Sequence, residues 1–323
     1  MRGATQQLSI GLAFLLLAMA PLYLSSYLLM LLTQAVISAM LAMSLDLLLG
    51  YTGLASLGHA AYLGIGAYSV GVLSTQYGAN FWVTLAAGTL LAALVAAVFG
   101  VVALRATGVY FLMITLSLGM VVWGLAQRWV SLTQGDNGIS GIPKPALGLP
   151  WSFATPMAFY YLVLVGFLMA GGMLGVIVRS PFGQSLVGIR ESESRMRTLG
   201  YHVWLHKYIG FVIAGAVGGF AGVFWAYYNG FVSPGDMELA TSVEILLMVA
   251  LGGRGTLLGP ALGAGVIVLL KNLVSVYTQR WLLILGAIYV LTIIYAPEGI
   301  VGAIKQVLKG GKVVSLRLRA SEE

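Results

Sequence analysis

Residues 27–75, YLLMLLTQAVISAMLAMSLDLLLGYTGLASLGHAAYLGIGAYSVGVLST, form two apolar runs on either side of a ten-residue interruption at 50–59. The first run, 27–49, is long enough to cross a bilayer as a helix, since about 20 residues rising 1.5 Å each span the hydrocarbon core. The interruption, GYTGLASLGH, crowds Gly50, Thr52, Gly53, Ser56 and Gly58 together and does not suit a helix. Irregular backbone at membrane depth is tolerated only where protein or a water-lined cavity satisfies it. The stretch therefore reads as two membrane helices joined through a broken segment. Tyr51, Gly53, Ser56, Gly58 and His59 within it are candidates to line a translocation pathway.

The rest of the chain has the same character. Its 323 residues are 59% hydrophobic and 8% charged, against about 25% charged in soluble domains. This composition points to an all-α, polytopic integral membrane protein. Further spans are expected at 8–24, 81–104, 108–129, 157–178, 208–228, 257–270 and 281–296, with a short one at 238–251. The total is about eight to ten segments, some short or broken. Ala18-Met19-Ala20 has the small-residue pattern of a signal cleavage site. Pro21 follows it and apolar sequence resumes at once, so 8–24 is expected to stay as a span. A second glycine-rich break, Gly252-Gly253-Arg254-Gly255-Thr256, follows the short segment, and residues 131–156 read as an external loop. Gly215, Gly219 and Gly218, Gly222 recur at four-residue spacing, which permits close helix contact.

The longest polar interval is 179–207, RSPFGQSLVGIRESESRMRTLGYHVWLHK. Helical spacing over 186–199 gathers Leu186, Ile189, Met196 and Leu199 on one arc, with Glu191, Ser194, Arg195 and Thr198 opposite. Pro181 and Gly183 punctuate the start, and Gly200 supplies a left-handed residue to end the helix. A solvated loop that merely orients the protein would carry such charges. Glu193, however, falls on the apolar arc, an awkward place for an acid unless a partner meets it. Docking of a cytosolic partner through Arg190, Glu191, Glu193, Arg195 and Gly200 is the sharper expectation.

The basic residues set the orientation. With both termini and the 179–207 interval inside, thirteen Lys and Arg lie inside (Arg2, Arg105, Arg179, Arg190, Arg195, Arg197, Lys207, Arg254 and five in the tail 297–323). Arg128, Lys144, Lys271 and Arg280 remain outside. The net charge of +7 is thus spread over span flanks and forms no patch for nucleic acid.

Catalytic and cofactor chemistry finds little support. No G-x-x-x-x-G-K-[ST] motif occurs, so any use of ATP must come from another chain. His202 and His206 are four apart, yet no third ligand lies near them. No metal or cofactor site is expected, and the absence of cysteine removes thiolate chemistry. Two acids lie inside expected spans, Asp46 near an inner end and Glu244 deeper in its short segment. A charge at mid-bilayer costs about 2.5 to 3.5 kcal/mol, so each should face protein or water, and both join the pathway candidates.

Several stretches together resemble one family. DLLLGYTGLASLGHAAYLGIGAY at 46–68 closely resembles the signature of LivM-type permeases, the membrane subunits of branched-chain amino-acid ABC importers. GIRESE at 188–193 and Leu199-Gly200, followed by Lys207-Tyr208 and glycine-rich sequence, resemble that family's ATPase-engaging loop. LGGRGTLLGP at 251–260 and APEGI at 296–300 are similar to its closing motifs. The alanines often found in the loop are replaced here by Ser194, Arg195 and Met196.

The resemblance implies a single permease domain over 1–323, with the docking loop 179–207 and a basic cytoplasmic tail 297–323. It also implies a second, LivH-type permease subunit, two ATP-binding subunits and an extracytoplasmic solute-binding protein, all in a bacterial or archaeal cytoplasmic membrane and its lipid. By the same resemblance Glu191 and Gly200 correspond to the acid and glycine of the ATPase-engaging loop. A urea or short-amide permease of the same superfamily is the nearest alternative. An ion-coupled secondary transporter is the alternative from a different class.

Overall fold

The computed structural model describes residues 17–148, 153, 155–278 and 280, with 283, 284, 286–288, 290, 299, 300 and 302. Helices dominate: α1 Ser26–Asp46, α2 His59–Tyr77, α3 Phe81–Ala103, α4 Val109–Arg128, α5 Pro156–Arg179, α6 Pro181–Glu191, α7 Glu193–Thr198, α8 Val203–Asn229, α9 Leu239–Gly252 and α10 Leu258–Tyr277. Among the described residues six helical stretches are long and apolar enough to cross a membrane: 26–52, α3, α4, α5, α8 and α10. The 14-residue α9 extends only about 21 Å and is too short to cross alone. The expected spans 8–24 and 281–296 and the tail 297–323 lie for the most part outside the described residues.

Local chemistry sets the helix ends. Asn80 caps α3 by accepting from the Val83 N–H at 3.0 Å, and Thr155 does the same for α5, whose first residue is Pro156. Gly230 closes α8 at a φ of 65°, where glycine adopts the left-handed conformation without a Cβ penalty.

Two helices organise the packing. α8 lies against α2 and α3, while α1 gathers α5, α9 and α10 and also touches α8. The glycine pairs of α8 serve two different neighbours. Gly215 and Gly219 meet Ala96 and Ala92 of α3, whereas Gly218 and Gly222 meet Tyr62 and Leu63 of α2. A Cβ at Gly222 would strike the Leu63 carbonyl, so the close approach depends on the missing side chain. The outer faces of α3 and α4 carry exposed Leu90, Leu94, Val98, Tyr110 and Met113, as suits a surface wetted by lipid tails.

The polar segment 179–207 marks one end of the bundle. At the other end the connection expected as an external loop contains a short helical turn, Val130–Thr133, and a two-residue strand β1, Ile139–Ser140. β1 pairs antiparallel with β2, Phe231–Val232, directly after α8. This fastens the α4–α5 connection to the end of α8 and buries Ile139 and Val232.

Candidate functional site

The interruption expected at 50–59 is a break in the structure, narrowed to 53–58. After Asp46 the helix loosens into a π-helical turn, Leu47–Thr52, and ends at Gly53 with a φ of 77°. The chain is irregular until α2 begins at His59. Protein groups satisfy its backbone: the Leu57 N–H donates to Thr115 Oγ1 at 3.3 Å, Gly58 N–H to Ser56 Oγ at 3.3 Å and Ala60 N–H to Ser242 Oγ at 3.3 Å. Two other elements, α4 and α9, thereby hold the break.

His59 is wholly buried, with Nε2 2.7 Å from Ser44 Oγ. The single Ser44 hydroxyl proton is already given to the Leu41 carbonyl at 2.6 Å, so Nε2 carries the imidazole proton and donates to Ser44. Nδ1 is then an acceptor, buried with no hydrogen-bond partner among the described residues. Ser56, Gly58 and His59 are packed between helices.

Asp46 faces protein, one of the two surroundings expected of it. It is fully buried and bonds the second break: Oδ1 accepts from the Gly255 N–H at 2.7 Å and Oδ2 from the Leu257 N–H at 3.2 Å. Leu257 sits at a φ of 53°, a conformation costly for a branched-chain side chain, and Asp46 holds it there. The two glycine-rich breaks, 200 residues apart in sequence, thus form one junction. Gly50 completes it, because any side chain there would collide with Asp46 Oδ1 and the Gly255 backbone.

Arg190 of the polar segment reaches the same junction. Its guanidinium donates to the Gly50 carbonyl, its stem lies against Gly53, and its Nη1 lies 3.4 Å from where a Gly255 Cβ would stand. The polar segment and the broken membrane helix are therefore in direct contact.

Within the segment the expected single helix over 186–199 is corrected to two. Ser192 has an extended backbone, φ −161° and ψ 102°, and its side chain caps α7 by accepting from the Arg195 N–H at 3.3 Å. Ile189, Met196 and Val203 form a small core of their own, and Leu199 is 66% exposed instead of joining the apolar arc. Gly200, φ 86°, ends α7 as expected. The acid at Glu193 is explained within the chain: it pairs with buried Lys207 and with Arg197 at 3.4 Å. Glu191 and Arg195 are exposed. Replacing Ser192 with alanine should cost about 1 kcal/mol of local stability. Trypsin cleavage at Arg195 and Arg197 should then quicken about fivefold, if opening precedes cleavage. An unchanged cleavage rate would show that the Ser192 cap contributes nothing.

Glu244 lines a cavity of about 330 Å³ between α1, α8, α9 and α10 and pairs with Lys271 at 2.9 Å. Lys271 belongs to α10, which runs on past the expected end at 270. Asp236, in the turn before α9, faces the same cavity. Burial raises its carboxyl above the ordinary range, while hydrogen bonds from the Ser233 N–H and the Trp225 indole act the other way. Tyr51 lines a second cavity of about 520 Å³, with Arg179, Phe167 and Thr256. Ser56, Gly58 and His59 line neither cavity. Among the described residues no cluster of His, Asp or Glu is arranged to hold a metal.

Comparison with known proteins agrees with this architecture. The family model described as "Branched-chain amino acid transport system / permease component" matches residues 27–294. The chain is similar to the "High-affinity branched-chain amino acid transport system permease protein LivM" of Escherichia coli K12, at 32% identity over 86% of this chain and 70% of the relative. The protein of the same name from Salmonella typhimurium gives the same figures. The "Autoinducer 2 import system permease protein LsrC" of Klebsiella pneumoniae is 28% identical over 78% of this chain and 69% of the relative. No solved structure matches.

Proposed function

As the chain belongs to the branched-chain amino acid transport system permease family, we propose that it is the membrane-spanning subunit of an importer for branched-chain or related apolar amino acids, driven by ATP hydrolysis in partner chains. One observation supports this above all: Arg190 joins the polar segment to the Gly50 carbonyl inside the broken membrane helix. A motion delivered to α6 from outside the chain passes through that contact to the junction of the two breaks. One of the assembly's two ATP-binding subunits docks on the exposed side of α6 and α7, where Glu191, Arg195 and Leu199 lie. A second, LivH-type permease completes the pathway, and an extracytoplasmic solute-binding protein delivers the cargo. Nucleotide binds two conformations of the assembly unequally and so drives alternating access. No residue of this chain does covalent chemistry.

The membrane in this reading is the cytoplasmic membrane of a bacterium or archaeon. The segment 179–207, the tail 297–323 and both termini face the cytoplasm, and 1–323 forms one permease domain. The chain has no cysteine, so a single cysteine placed at Thr198 reports its side directly. A membrane-impermeant maleimide should label it in inside-out vesicles and not in right-side-out ones. Labelling only in right-side-out vesicles would reverse the orientation.

The function itself is tested with the assembled complex in proteoliposomes, ATP inside the compartment that the polar segment faces and loaded binding protein on the other side. Leucine, isoleucine and valine should enter in an ATP-dependent way, in preference to autoinducer 2, the cargo named for the Klebsiella relative. Uptake that follows an ion gradient without ATP-binding subunits would replace this reading with a secondary transporter.

A further inference from the structure

The cavity bounded by Glu244 and Lys271 has the chemistry of an amino-acid site. Its charged lining is Asp236, Glu238 and Glu244 with Lys271, and Ile37, Leu41, Leu63, Ile245 and Met248 supply its apolar lining. Its volume of about 330 Å³ falls in the usual range for small-molecule sites, about 300 to 1,000 Å³. The Glu244 carboxylate and the Lys271 ammonium meet at 2.9 Å with Glu244 buried in protein, where an unpaired charge is expensive.

The charges select the ligand. An anion would meet three carboxylates, and a simple cation would leave Lys271 to be paid for by repulsion. A zwitterion satisfies both sides. Its carboxylate takes the place of Glu244 on Lys271, and its ammonium takes the place of Lys271 on Glu244, with Glu238 nearby. One ion pair then becomes two with no change in net charge. Asp236 is already held by the Ser233 N–H and the Trp225 indole, so it frames the wall. The apolar lining is left for an aliphatic side chain.

We infer that this cavity binds one free α-amino acid with an apolar side chain inside the permease, and that the Glu244–Lys271 pair is its closed, unloaded form. The inference rests on the importer reading for the identity of the cargo, and it adds a selective site in the membrane subunit itself.

The test uses the assembled complex in lipid nanodiscs, without the solute-binding protein, and tritiated leucine as the probe. Wild type should bind leucine saturably below about 10 mM. Lys271→Met should weaken binding at least about tenfold, and Lys271→Arg should restore most of it. Because Lys271→Met leaves Glu244 buried beside a neutral side chain and risks misfolding, the double variant Lys271→Met/Glu244→Gln removes both charges together. It should assemble, as judged by gel filtration, and still lose binding. 3-Methylbutylamine, which lacks the carboxylate, and 4-methylpentanoate, which lacks the ammonium, should each compete at least about tenfold less well than leucine.

The site is overturned if wild type shows no saturable binding, if the double variant binds like wild type, or if either analogue competes as well as leucine. Uptake by wild type with its binding protein is measured alongside. Failure of uptake with binding intact removes the importer reading and leaves the site, whereas normal uptake without binding does the reverse.

Discussion

Asp46→Ala is expected to lower the stability of the protein by about 2 to 3 kcal/mol, because it removes at once the shared acceptor of two half-buried backbone donors. The Gly255 and Leu257 N–H groups both end on this carboxylate, which is itself fully buried. The loss has a second component. Leu257 holds a left-handed backbone conformation only while its N–H is tied down, so the variant also frees the turn between α9 and α10 to relax. Asp46→Asn keeps one acceptor and turns an NH₂ group toward the other donor, so it should lose less than alanine and more than a conservative change at the surface. The measurement is the melting temperature of the purified protein in detergent, followed by gel filtration after heating. Melting of Asp46→Ala together with wild type would mean that the junction does not hold the two breaks together.

This junction also shows what a sequence displays and what it hides. The break at 50–59 is legible because glycine and hydroxyl residues cluster where a helix should continue, and the shortness of 239–252 is legible by counting. The partner of Asp46 is not. It lies more than 200 positions away, and only the packing of α1 against α9 and α10 brings it close. Ser192 was hidden for a different reason. ESES is compatible with a helix, and the kink follows from the serine capping the next turn in preference to continuing the previous one. The partner of Glu244 is hidden too, because in the sequence Lys271 counts only as a charge on a span flank. The cost of burying Glu244 called for a basic partner inside the bundle, and Lys271 is the cation that answers it. The β1–β2 pair, two residues on each side, is too short to leave a periodic signal.

Arg190→Glu is expected to reduce leucine uptake per ATP hydrolysed on the order of 100-fold. A charge-assisted hydrogen bond of this kind contributes about 1.5 to 3 kcal/mol, and about 2.7 kcal/mol corresponds to that factor. The substitution goes further than removing the bond. It sets a carboxylate against the Gly50 carbonyl and within the electrostatic reach of Asp46, where Arg190 now acts favourably. The contact becomes repulsive at the one place where the polar segment grips the broken helix. Arg190→Lys keeps the charge, but its ammonium sits on a narrower stem without the planar fork, and the Arg190 stem and fork lie against Gly53 and Gly255. Its uptake should fall between the two. The ratio of uptake to hydrolysis separates coupling from docking. A complex that assembles and hydrolyses ATP but moves little leucine places Arg190 in the transmission of motion, whereas a complex that fails to assemble places it in the docking surface. Arg190→Glu with wild-type uptake per ATP would sink both roles, and the route from α6 to the membrane would then have to run through the α5–α6 corner at Gly183, whose close approach to the Val178 backbone is the other covalently short path into the bundle.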